Sequence, residues 1–245
     1  MSKNKLAKFA EMETFDNVFQ VSSQNIKSGN ADFHLKGRWK ADFFENNNPI
    51  TLELGCGKGE YTIGMAQMFP ERNFIGIDIK GARMWTGATQ SSKLGLKNVA
   101  FVRTDIEMLT HFFGNDEIDE IWLTFPDPQM KKVTKRLTST NFMRLYQQFL
   151  VPDGLLHLKT DSNFMFVYTT EMIKANNYNI VSWVDNLYIS EIENSVLEIK
   201  TYYEQQWLSR GMTIKYLCFK GEKKENFLEP DIEIEKDDYR SKSRF

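Results

Sequence analysis

The stretch "TLELGCGKGEYTIGMAQM", residues 51–68, changes the texture of the chain. TLEL has the length and apolarity of a buried strand. Gly55, Gly57 and Gly59 follow at once, and residues 60–68 place apolar side chains at helical spacing. Strand, glycine turn and helix form the opening unit of an α/β fold, in which the turn meets a ligand. A dinucleotide loop has the spacing G-x-G-x-x-G. Here it is G-x-G-x-G, and Glu53 stands just before it. An acid at that point repels a pyrophosphate and suits a ligand with a cationic amino group. This disfavours a nicotinamide oxidoreductase.

Strands are expected at 51–54, 73–79, 98–105, 118–125, 155–161, 179–184 and 213–220. Helices are expected at 60–68, 81–94, 141–150 and 163–173, the third starting after Thr138-Ser139-Thr140 and stopping before Pro152-Asp153-Gly154. Strands alternating with helices predict a mostly parallel, seven-stranded sheet with helices on both faces, a Rossmann-like arrangement. The domain is expected to span 49–221. Residues 1–48 read as a partly mobile arm with one short helix. Residues 222–245 read as a polar tail, either disordered in part or packed as an acidic strap.

Three acids fall at expected strand ends. Glu53 precedes the glycine loop, Asp78 ends the second strand and Asp105 ends the third. In open α/β sheets, ligands sit beyond the carboxyl ends of the strands. Asp78 there can accept both hydroxyls of a ribose, and Asp105 an adenine amino group. The site must hold an amino acid, a ribose and a purine without phosphate. S-adenosylmethionine fits that list.

The totals set bounds. The chain has 245 residues and a net charge of −2, so it is not a globally basic nucleic-acid protein. Residues 1–40 nevertheless carry seven Lys or Arg (Lys3, Lys5, Lys8, Lys27, Lys36, Arg38, Lys40) against Glu11, Glu13, Asp16 and Asp32. Lys131, Lys132, Lys135 and Arg136 form a second basic patch. No apolar run approaches the roughly 18 residues of a membrane helix. The first residues lack the apolar core of a signal peptide. Cys56 and Cys218 are expected as free thiols in a reducing cytoplasm. His34, His111 and His157 show no metal spacing, and no metal is expected. His157 reads as a buried, hydrogen-bonded residue. Trp85, Trp122, Trp183 and Trp207 read as core, and Trp39 as an arm residue that either packs or stacks on a base.

The expected fourth strand ends in "LTFPDPQMKKVTKR", residues 123–136. Each proline fixes its own φ and biases its predecessor toward extended backbone, so Asp127 sits in a stiff frame.

Together with "LELGCGKGE", "FIGIDI", "HLKTD" and the late "TYYE" (201–204), this segment resembles the bacterial tRNA (guanine-N7)-methyltransferase family. The motifs run in the family's order over about residues 50–220. The resemblance implies a class I methyltransferase fold, S-adenosylmethionine as methyl donor and the variable-loop guanine of tRNA as acceptor. By motif, Glu53, Gly55, Gly57, Gly59, Asp78 and Asp105 would bind the cofactor. Asp127 would sit at the chemistry. Lys131, Asp161, Thr201 and Glu204 would line the guanine pocket. The family's Asp-Pro-Trp-Pro-Lys-Lys reads Asp-Pro-Gln-Met-Lys-Lys here, and the basic loop after it is shorter and poorer. tRNA is the expected partner, with no membrane, for a monomer or homodimer. The alternatives are a methyltransferase of the same fold with another base or a small molecule as acceptor, or a tRNA-binding protein without turnover.

Overall fold

A computed structural model describes residues 3–21 and 33–238. Residues 22–32 of the arm, with Lys27 and Asp32, and 239–245 of the tail lie outside the described residues. The strands are β1 (Val18–Gln20), β2 (Ile50–Leu54), β3 (Asn73–Ile77), β4 (Val99–Arg103), β5 (Ile118–Thr124), β6 (Leu150–Thr160), β7 (Ile180–Val184) and β8 (Lys215–Lys220). They form one sheet in the order β1-β4-β3-β2-β5-β6-β8-β7. All neighbours are parallel up to β6, and β8 runs antiparallel to both β6 and β7.

The α-helices are α1 (Lys3–Met12), α2 (Glu60–Met68), α3 (Gly81–Leu94), α4 (Thr140–Tyr146), α5 (Asn163–Ala175) and α6 (Tyr202–Leu208). Period-two alternation divides the sheet's side chains between two layers. Ile50, Leu52 and Leu54 join Ile75, Ile121 and Leu123 in a layer with Trp39, α4 and α5. Phe74, Phe101, Trp122 and Tyr216 face the other way, toward Tyr61 and Ile63 of α2 and Met84 and Ala88 of α3. Because β2 turns Ile50, Leu52 and Leu54 one way, Glu53 points to the α2 side.

Among the described residues eight strands form where seven were expected. The eighth, β1, comes from the arm and pairs Val18–Gln20 with Phe101–Arg103 of β4. Three residues carry no readable alternation, and this pairing is purely non-local. A second difference lies at β6. The helix ends at Tyr146, and the strand begins at Leu150 and runs through Pro152. Its pairing with β5 shifts register between Ile118 and Glu120, and Asp153 takes φ +59°. A bulge removes the ladder bond that proline cannot make, so a proline that reads as a stop is accommodated inside a strand.

Trp39 is fully buried, donates its indole N–H to the Phe112 carbonyl at 2.9 Å and packs among Phe19, Phe43 and Phe113. The Glu117 carboxylate accepts from the Gly37 and Trp39 amides at 2.8 and 2.9 Å, which pins this part of the arm to the start of β5. Of the four tryptophans read as core, only Trp122 is buried; Trp183 is 48% exposed on the edge strand β7. Residues 222–238 pack as a strap over α4 and α5. Trp39→Ala removes a buried indole and strands the Phe112 carbonyl. It is expected to cost about 3–5 kcal/mol in urea unfolding, whereas Trp183→Ala at the exposed edge should cost far less.

Candidate active site

A cavity of about 930 Å³ opens beyond the carboxyl ends of β2, β3 and β5. Its wall includes Glu53, Gly55, Gly57, Asp78, Asp127 and Thr201 among the residues expected at the site. Gly55 and Gly57 take φ +78° and +57°, a backbone region that side-chain-bearing residues rarely adopt. Gly59 does not line the cavity. A Cβ there would lie 2.9 Å from the Phe101 ring and 3.3 Å from Gly87, so its role is close packing of α2 on the sheet.

Glu53 is 2% exposed. One carboxylate oxygen accepts from the Thr62 amide and hydroxyl at 2.8 and 2.6 Å, and the other accepts from the Thr124 hydroxyl at 2.8 Å. Burial raises its pKa to about 7, against the pull of these hydrogen bonds. Asp78 is held by the Gly57 amide at 2.8 Å and the Lys80 amide at 2.7 Å, which locks the glycine loop to the end of β3. Asp105 is exposed after β4 and lies outside the cavity wall.

The loop after β5 carries Asp127. Phe125 takes φ +52° and Gln129 φ +45°, strained conformations on either side of Pro-Asp-Pro. The Asp127 carboxylate accepts from the Gln129 amide at 3.0 Å and closes a tight turn. Arg136 reaches back to the Gln129 and Met130 carbonyls at 3.3 and 3.1 Å. Lys131 is exposed on this loop, outside the cavity wall.

Comparison with known proteins decides the family. Residues 47–217 match a family model described as "Putative methyltransferase". The tRNA (guanine-N(7)-)-methyltransferase of Bacteroides fragilis is 57% identical over 100% of this chain and 96% of its own length. That of Porphyromonas gingivalis is 56% identical over 95% of this chain and 96% of its own. The chain belongs to the tRNA (guanine-N(7)-)-methyltransferase family. The solved 16S rRNA methyltransferase KamB superimposes with a TM-score of 0.57 at 13% identity, over 73% of this chain and 90% of that one. At that identity the likeness shows the fold alone.

In this family member the motif "TYYE" builds a helix start. The Thr201 hydroxyl accepts from the Glu204 amide at 3.1 Å, and the Thr201 amide donates back to Glu204 at 3.4 Å, forming a capping box. Glu204 is fully buried and lies 2.7 Å from Lys159 Nζ, which is also fully buried. Lys159 also donates to Tyr61 at 2.8 Å and to the Leu197 and Ile199 carbonyls at 2.9 and 3.2 Å. Burial lowers its pKa to about 8, while the Glu204 charge resists that fall. Glu204 therefore stands behind the cavity wall rather than on it. Asp161 is buried at the end of β6, also off the wall. His157 lies buried between Tyr216 and Glu120, stacked on Trp122.

Two cationic wall residues, Arg83 and Arg210, carried no motif signal, whereas Lys58, Tyr202 and Tyr203 fall inside the glycine-loop and "TYYE" motifs without a role assigned from them. Lys58 lies over Tyr202, Arg83 over Tyr203 and Arg210 over Trp207, at 4.2, 5.5 and 5.1 Å from the ring centres. Trp207, expected in the core, is half-buried at this wall. Aromatics at 203 and 207 are one helical turn apart, and that spacing fits a cavity-facing stripe as well as a core one.

Two outcomes are expected. The folded-state pKa of Glu53, about 7, lies above its ordinary value of 4.5. Its neutral form therefore stabilises the fold fully below about pH 4.5, and that stabilisation disappears as pH rises through 7. The loss is about 3 kcal/mol. Glu53→Gln does not titrate, so its stability relative to wild type should improve by that order between pH 5 and 8 in urea titrations. Lys159→Met leaves the buried Glu204 carboxylate without its counter-ion and should cost about 3–5 kcal/mol, while Lys159→Met with Glu204→Leu should recover much of it.

Proposed function

We propose that this protein transfers the methyl group of S-adenosylmethionine to N7 of the variable-loop guanine of tRNA. The observation that carries this reading is the convergence of the glycine turn, Asp78 and the strained Asp127 loop on one cavity, in a chain 57% identical to a tRNA (guanine-N(7)-)-methyltransferase.

The residues present fit the donor. Gly55 and Gly57 offer bare backbone at the wall, Asp78 offers acceptors for ribose hydroxyls, and Glu53 offers negative charge to an ammonium group. Asp105, at the next strand end, is assigned to the adenine edge. When bound, the donor supplies a methyl group on a sulfonium sulfur: the N7 lone pair forms the new N–C bond while the S–C electron pair returns to sulfur. Guanine N7 has an in-plane lone pair and no proton to lose, so no residue need act as a general base.

Positive charge arrives on the purine as the bond forms. A fixed carboxylate on the base side favours that movement. At ~4 Å and an effective dielectric of 20, Asp127 would interact with a full charge by about 4 kcal/mol. Only the gain between ground and transition states accelerates the reaction. Holding N7 in line is then the larger contribution, which accounts for a carboxylate locked between two prolines. Asp161 is assigned to the guanine N1–H and N2 amino donors, which adenine lacks. Thr201 completes the wall and Glu204 supports it from behind; Lys131, expected in the guanine pocket but exposed outside the cavity wall, is assigned instead to tRNA phosphate. Among the described residues no helix is long and apolar enough to cross a membrane. A tRNA substrate puts the reaction in the cytoplasm. A monomer or a homodimer is the proposed assembly.

Incubation with labelled S-adenosylmethionine and an unmodified tRNA transcript, followed by cleavage specific for N7-methylguanine, should place the label at one variable-loop guanine. Asp127→Ala should lower kcat by about a hundredfold and leave cofactor affinity near wild type. Cofactor binding without label in tRNA would point to another acceptor.

A further inference from the structure

We infer that Asp237, in the C-terminal strap, is a positioning residue that holds together the two loops carrying Asp127 and Asp161. The inference rests on the reading of the guanine pocket above. The strap leaves β8 at Gly221 and passes over α4 and α5. The Leu228 amide donates to Asn176 at 2.8 Å, and Asn176 donates back to the Leu228 carbonyl at 2.7 Å. Glu229 accepts from the Thr140 amide at 3.1 Å and the Tyr168 hydroxyl at 2.7 Å. These contacts lie away from the cavity and account for the strap's attachment.

Asp237 does something different. It is 7% exposed in a segment whose other acids are exposed or half-exposed. Its carboxylate accepts from the Ser162 hydroxyl and from the Phe164 amide, the latter at 3.1 Å. Those groups belong to the turn that follows Asp161 and opens α5. Ser162 already has a job there, because its oxygen accepts from the Met165 amide at 3.0 Å and caps the helix. Asp237 holds the cap itself in place. Its own amide points to Met130 Sδ at 3.3 Å, and Met130 is the third residue after Asp127. Asp238, the next residue, lines the cavity. One residue thus touches the Asp161 turn with its side chain and the Asp127 loop with its backbone. Arg136 ties the same two pieces on another side: it holds the Met130 carbonyl and stacks over Phe164 and Tyr168, at 4.7 and 4.4 Å from the ring centres.

The physical consequence is registration. A base gripped by Asp161 and presented toward Asp127 needs those two carboxylates at a fixed separation, although they leave different strands on separate loops. Displacement by about 1 Å can cost a hundredfold in rate. A link between the loops removes that freedom.

The test compares Asp237→Ala, Asp237→Asn and Asn176→Ala in the full-length chain. Asp237→Ala should lower kcat for tRNA methylation about tenfold or more, with cofactor affinity unchanged. Trypsin should then cut faster at Lys131 and Lys132. Asp237→Asn keeps an acceptor of the same shape and should recover most of the rate. Asn176→Ala loosens the strap away from the cavity; it should lower stability and leave kcat and the tryptic rate at Lys131 near wild type. Wild-type kcat in Asp237→Ala, an unchanged tryptic rate, or an equal kcat loss in Asn176→Ala would each overturn the proposal. If wild type methylates no tRNA, the guanine reading fails, and the tryptic pattern alone decides whether Asp237 ties the loops.

Discussion

The cavity depends on a carboxylate buried where charge is costly. Glu53 sits between β2, α2 and β5 and is hydrogen-bonded to the first turn of the helix and to the end of the neighbouring strand. These three elements are the floor of the site, so one side chain sets their relative positions. Desolvation disfavours its ionised form. The group is therefore close to balance at neutral pH, and a cation entering the cavity tips it toward ionisation. An acid that is only an anchor would gain more from full hydrogen bonding and a low pKa. Glu120 is such a group: despite its burial, the His157 hydrogen bond and charge, with Arg72, hold its pKa down to about 2.

A second buried charge shapes the opposite wall. Lys159 projects from β6 into a pocket of Glu204, Tyr61 and two carbonyls. Glu204 in turn boxes the start of α6, the helix that presents Thr201, Tyr202 and Trp207 to the cavity. Apolar burial holds the sheet and its two layers together, but it is non-directional. The directional work at the site falls to these satisfied polar networks, which specify one arrangement because any other leaves a buried charge unpaired.

The fold alone says little about substrate. The methyltransferase structure that shares this architecture at 13% identity bears a name that specifies ribosomal RNA. Function here rests on residues placed at strand ends and on the loops between them. The Pro-Asp-Pro loop is the clearest case. Two prolines, two positive-φ residues, an aspartate turn and Arg136 all constrain it. That much local strain persists only where surrounding structure compensates for it.

The sequence carries the order of strands β2 to β8 and of helices α2 to α5, the glycine turn, and the candidate acids at the carboxyl ends of the strands; α6, seven residues long and started by a capping box, is not legible in it. Those features are local: periodicity, a turn chemistry and short motifs survive in one dimension. It determined the family too, since contiguous motifs such as "LELGCGKGE" and "HLKTD" need no partner to be read. What each acid touches is set by the folded chain. Nothing in "TYYE" says that Glu204 is held by Lys159, which lies 45 residues earlier. The pairing of β1, the burial of Trp39 and the inward turn of Asp237 follow the same rule. Each joins residues far apart in sequence. Such contacts are chosen by packing and by satisfaction of buried polar groups, and those constraints exist only once the chain has closed on itself.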